Sequence, residues 1–136
     1  EQVKCPVAVF VNRGYREGAL VSFVLGGMID IFLLSYISIM LQNGHAVRLF
    51  LFDTDDEEFC RCMNDLQARY SGQITMVRFV GIEELVTKEK DGLLVMSHLS
   101  YTKLSEDELV MRELSSLLVI RRNKNKGEKN ERLEIG

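Results

Sequence analysis

The chain has 136 residues, 46% of them hydrophobic and 27% charged, which is one domain's worth of sequence and excludes a disordered or fibrous polypeptide. A formal charge of −3 argues against nucleic acid as a partner. Three cysteines in a chain of this length do not make a disulfide framework and fit a reducing compartment.

Residues 7–11 (VAVFV) read as a strand, with Pro6 ahead of it where the missing N–H does least harm. Residues 12–18 form a polar, glycine-bearing loop. Residues 19–41 then run for 23 positions with Asp30 as their only charge, a pattern that first suggests a membrane span. The tandem Gly26-Gly27 breaks that pattern. A soluble reading divides the run into a buried strand through Leu25, a tight glycine turn, and a helix over 28–43 of about four turns, stopped by Asn43-Gly44. The helix shows no broad charged face; its polar positions are Asp30, Ser35, Ser38, Gln42 and Asn43. Its surplus apolar surface implies one of two things. Either it has a second burial partner, with Met28, Ile29, Ile31, Phe32, Leu34, Ile37, Met40 and Leu41 as interaction residues, or it sits mid-layer between two other helices.

Residues 46–52 (AVRLFLF) are a further buried strand. Thr54 opens an amphipathic helix as a capping box with Glu57, and Phe59, Cys62, Met63, Leu66 and Tyr70 mark its buried stripe. Ser71-Gly72 ends it. A strand over 74–80, a short helix near 82–90, a turn at Asp91-Gly92 and a strand over 93–96 follow. Ser105 to Glu108 is a second capping box, opening a helix that ends near Leu114 or Ser115. Residues 117–120 close the series as a strand. Strands alternating with helices predict an α/β fold: a mostly parallel, doubly wound sheet of five or six strands with helices on both faces. From Arg121 onward the composition turns polar, with six basic and three acidic residues, leaving a body of 11 basic and 17 acidic residues. This tail either lies on the acidic body or stays in solvent.

Site signatures are sparse. There is no GxGxxG, no phosphate loop, no HExxH and no GxSxG elbow, and no catalytic or metal-binding set is predicted. Cys60 and Cys62 lie two apart on a helix and face different ways, so they read as structural. His45 and His98 have no sequence-adjacent partner. In a sheet of this kind ligands bind beyond the carboxyl ends of the strands, here Gly26-Gly27, Asp53-Thr54 and Ser97-His98. Gly26, Gly27 and Ser97 are therefore candidates for a nucleotide pocket, the backbone N–H groups after Gly27 being able to receive a phosphate.

Several strings, in order, resemble the universal-stress-protein-like cytosolic domain of monovalent cation:proton antiporters, including the plant CHX-type cation/proton exchangers. Residues 9–14 (VFVNRG) are similar to that family's opening strand, and residues 20–27 to its apolar strand ending in Gly-Gly. Residues 47–52, 91–97 and 117–121 resemble its later parallel strands. The match spans most of residues 3–122. It implies a universal-stress-protein-like, Rossmann-like domain over 1–122 and a polar tail over 123–136. The family usually follows Gly-Gly with acidic and basic residues, where this chain has Met28-Ile29-Asp30-Ile31. Stress proteins that bind ATP carry an Asp at the end of the first core strand and a Gly-x₂-Gly-x₉-Gly-Ser/Thr loop. Neither pattern stands at Gly26-Gly27 or at residues 97–103.

By resemblance the expected function is a non-catalytic regulatory and dimerisation domain of a Na⁺ or K⁺/H⁺ antiporter, at the cytoplasmic face of the membrane. No cofactor is expected. The expected partners are a second copy of the chain or the transporter's own membrane region, with no membrane span inside residues 1–136. The alternative is a stand-alone universal-stress-type protein that binds an adenine nucleotide at Gly26, Gly27 and Ser97.

Overall fold

Each predominantly apolar run flanked by turn residues becomes a strand of one sheet. The computed structural model describes residues 7–52, 56–79, 85, 92–106 and 114–121. Its strands are β1 (Val7–Val11), β2 (Val21–Leu25), β3 (Val47–Phe52), β4 (Ile74–Phe79), β5 (Leu93–Ser97) and β6 (Ser116–Arg121), in the spatial order β1-β6-β5-β2-β3-β4. The five strands from β2 to β6 are parallel, and β1 lies antiparallel against β6. The predicted α/β architecture is therefore the observed one. Chain order runs outward from β2 to β4, then jumps back to place β5 on the other side of β2. The β2–β5 seam is thus the point where the winding reverses, and a crevice forms at its carboxyl end.

Strand alternation splits the core into two layers. On one face Phe23, Leu25, Leu49, Leu51 and Val95 pack with Leu33, Ile37, Leu41, Phe59 and Met63. On the other, Val24, Phe50, Leu94, Met96, Leu117 and Val119 pack with Leu85, Leu114, Tyr101 and Leu104. The central strand β2 is buried along its whole length, as a strand covered on both faces must be.

The helices depart from expectation in three places. The helix predicted over 28–43 is two pieces: a 3-10 segment, Met28–Leu33, and α1, Leu34–Gln42. Six residues is long for 3-10 geometry, which normally yields to the better hydrogen bonds of an α-helix. Here the Asp30 carboxylate reaches back to the Gly26 N–H and holds the tighter winding at the start. Second, the cap of α2 (Glu57–Arg69) is Asp56, whose carboxylate accepts the N–H groups of Glu58 and Phe59; Thr54 lies outside the described residues. Such a cap stabilises a helix by about 1 kcal/mol. The predicted stripe of α2 holds, with Phe59, Met63 and Leu66 buried and Cys62 and Tyr70 half-buried.

Third, a helix that the pattern did not announce, α3 (His98–Leu104), follows β5 directly. Ser97 caps it by accepting the Ser100 N–H at 3.1 Å. Ser105, expected to open a helix, closes this one, its hydroxyl donating to the Thr102 carbonyl. The helix predicted near 82–90 falls outside the described residues except for the buried Leu85, and so do residues 107–113 of the helix predicted after Ser105 and the tail over 123–136. No helix among the described residues is long and apolar enough to cross a membrane.

Candidate functional site

The chemistry at the β2–β5 seam is organised by one carboxylate. Asp30, the single charge in the apolar run, is fully buried. Its Oδ2 accepts the Gly26 N–H at 2.6 Å and the Ser100 hydroxyl at 2.9 Å. Oδ1 is buried and has no hydrogen-bond partner among the described residues. The carboxylate therefore ties the turn after β2 to the helix after β5. Burying it without partners would cost several kcal/mol, and two short hydrogen bonds on one oxygen offset part of that. The backbone cooperates: Gly27 takes φ +122°, a conformation that side-chain-bearing residues rarely adopt. A Cβ on Gly26 would stand 3.2 Å from Asp30 Oδ2 and 3.4 Å from Ser100 Oγ, so glycine there gives the carboxylate room.

Beside this knot lies an open cleft of about 240 Å³. Val24, Ile29, Phe52, Leu99 and Leu104 give it apolar walls, and Lys103 supplies one ammonium at the rim. Ile29, Phe52 and Leu99 are each between 41% and 52% exposed, so solvent-facing apolar surface is concentrated here. The cleft can receive an apolar group more readily than a phosphate. The Gly26 N–H is already donated to Asp30, and that carboxylate would repel an anion placed against the turn.

The three nucleotide-pocket candidates do gather at this end of the sheet, but their polar groups are engaged internally. Gly26 binds Asp30, Gly27 is buried, and Ser97 is 2% exposed with its hydroxyl oxygen accepting from Ser100. Sequence reasoning missed Asp30, Ser100, Phe52, Leu99 and Lys103 as components of this region. Asp30 alone had a legible signal, a lone charge among apolar neighbours.

The eight interaction candidates separate by burial. Ile37 and Leu41 are 0% and 2% exposed and belong to the protein's own core, which removes them from any contact surface. Met28, Ile31, Phe32, Leu34 and Met40 are half-buried against the same core. Ile29 stays exposed at the cleft, and Ile39, not among the candidates, is 57% exposed on α1. The helix that looked too greasy for a monomer is largely absorbed because its 3-10 start and α-helical end both lie on the sheet. Cys60 and Cys62 are free and half-buried, and His45 and His98 are exposed. Among the described residues no three His, Cys, Asp or Glu side chains converge as a metal site would need. Compared with protein-family models, with curated proteins and with solved structures, the chain matches none of them.

Proposed function

We propose that this chain is a non-catalytic regulatory domain of a monovalent cation:proton antiporter, lying at the cytoplasmic face of the membrane and acting through self-association or through contact with the transporter's membrane region. The observation that supports the reading is positional. Each string that resembles the antiporter domain falls on the element its role requires: residues 9–11 end β1, Gly26-Gly27 follow β2, residues 47–52 are β3, residues 93–97 are β5 and residues 117–121 lie in β6. The polar groups at the β2–β5 seam are spent on holding two elements together, which suits a domain that transmits position rather than one that turns over a substrate.

The experiment is to delete the segment encoding residues 7–121 from the full reading frame and measure cation-driven proton flux in everted vesicles. Persistent exchange with an altered rate or altered response to pH and cation supports the reading. A full reading frame without a long hydrophobic region, or flux unchanged in every respect by the deletion, overturns it.

A further inference from the structure

β1 ends the sheet, and among the described residues no strand pairs with its outer side. An edge strand leaves a row of N–H and C=O groups open, and proteins normally guard it with a charge, a proline or a bulge. The five residues of β1, VAVFV, contain none of these. Val9 is 58% exposed and Phe10 49%, and Ala8 is exposed beside them. The strand is also held in place. Its following loop is tied to the start of β6 by Ser116 Oγ, which accepts the Arg13 and Tyr15 N–H groups at 2.8 and 3.1 Å. The Arg13 guanidinium donates to the Leu114 carbonyl, and Phe10 meets Tyr15 edge to face at 6.3 Å. An ordered edge of this kind presents its hydrogen-bonding groups without a further ordering cost.

We propose that β1 is the self-association edge of this protein: two copies pair their β1 strands antiparallel about a twofold axis normal to the sheet. A pairing centred on Val9 sets Val9 against Val9, Ala8 against Phe10, and Val7 against Val11 of the second copy. The register with β6 places Val9 on the side of Val119, and Ala8 and Phe10 on the side of Ile120 and Leu118. A twofold normal to the sheet preserves those sides, so the large Phe10 meets the small Ala8 twice and Val9 meets Val9. No charge within the strand is brought opposite another. That neutrality selects a second copy of the same strand over an acidic or basic peptide. A five-residue strand spans only about 17 Å, well short of a permanent interface, so the dimer is weak and dependent on concentration. The inference rests on the self-association part of the proposed function and moves its location from the helix face to the sheet edge; it does not depend on the transporter assignment.

Sedimentation equilibrium of the 136-residue chain over a wide concentration range provides the test. Wild type is expected to show a reversible monomer–dimer equilibrium. Val9→Lys, which sets two ammonium groups against each other at the twofold, is expected to stay monomeric at every concentration where wild type dimerises, with an unchanged far-ultraviolet circular dichroism spectrum. Ala8→Lys, on the opposite face of the strand, repeats the disruption independently, and Val9→Thr retains the dimer. A wild type that is monomeric throughout overturns both this proposal and the self-association reading. A dimer that survives both lysine variants, or one that is lost instead in Ile39→Asp, overturns the β1 edge alone.

Discussion

Ser100 donates its hydroxyl proton to Oδ2 of Asp30 at 2.9 Å, joining side chains 70 positions apart in the chain. The same oxygen accepts the Gly26 N–H, so one buried carboxylate holds the end of β2, the 3-10 segment and α3 in register. Replacing Asp30 with Ala leaves both donors without their partner and is expected to lower the unfolding free energy by about 2–4 kcal/mol in urea denaturation. Ser100→Ala removes one neutral donor and is expected to cost about 1 kcal/mol. The double variant should lose less than the sum, by a coupling of about 1 kcal/mol; strict additivity would show that the two side chains do not act as a unit.

The paired glycines respond differently to the same substitution. Gly27→Ala meets no neighbour within 4 Å but must adopt φ +122° with ψ −163°, a strain of about 1–3 kcal/mol. Gly26→Ala instead presses on Asp30 and Ser100. In an Asp30→Ala background the cost of Gly26→Ala should shrink while that of Gly27→Ala stays. Chemical denaturation of the four variants separates steric from backbone strain.

Two isoleucines on α1 divide core from surface. Ile37 is fully buried, and Ile37→Ala is expected to cost about 2–5 kcal/mol, as large-to-small core substitutions do. Ile39 is 57% exposed, and Ile39→Asp should change stability by no more than about 0.5 kcal/mol. Thermal unfolding followed by circular dichroism reads both. A large loss in Ile39→Asp would mean that this face of the helix is covered.

Adenine nucleotide is expected to leave the melting temperature unchanged at millimolar ATP or AMP. The Gly26 N–H and the Ser97 hydroxyl oxygen are already hydrogen-bonded within the protein, and the Asp30 carboxylate stands behind the turn. A clear upward shift on titration would revive the stress-protein alternative and require the turn to rearrange.

Much of the architecture was legible in the sequence because strands covered on both faces need near-continuous apolar runs. Residues 21–25, 47–52 and 93–97 announce themselves in that way, and Gly26-Gly27 and Asn43-Gly44 mark their turns by the backbone freedom those turns demand. Helix type and helix caps were less legible. Thr54, Asp55 and Asp56 are all competent caps, and Asp56 is the one that accepts the N–H groups at the start of α2. Ser97 reads in the sequence as the end of a strand and Ser105 as the start of a helix, whereas Ser97 caps the start of α3 and Ser105 stands at its end. Ser97 opens α3, because β5 delivers the chain there with Ser97 in the extended conformation a cap requires.

Composition and periodicity by themselves determined the fold class, the order of the strands along the chain and the breaking of the 23-residue apolar run at Gly26-Gly27. These are local properties, set by the period of apolar positions and the conformational range of single residues. The tertiary structure alone decided that β1 lies antiparallel at the edge, that α1 hides Ile37 and Leu41 while leaving Ile39 in solvent, and that Asp30 is buried rather than wet. Each of those depends on a partner far away in sequence: β6 for β1, the sheet for α1, and Ser100 for Asp30. A chain folds by local preference but is sorted into core, edge and site by long-range contact, and no window of neighbouring residues contains that information.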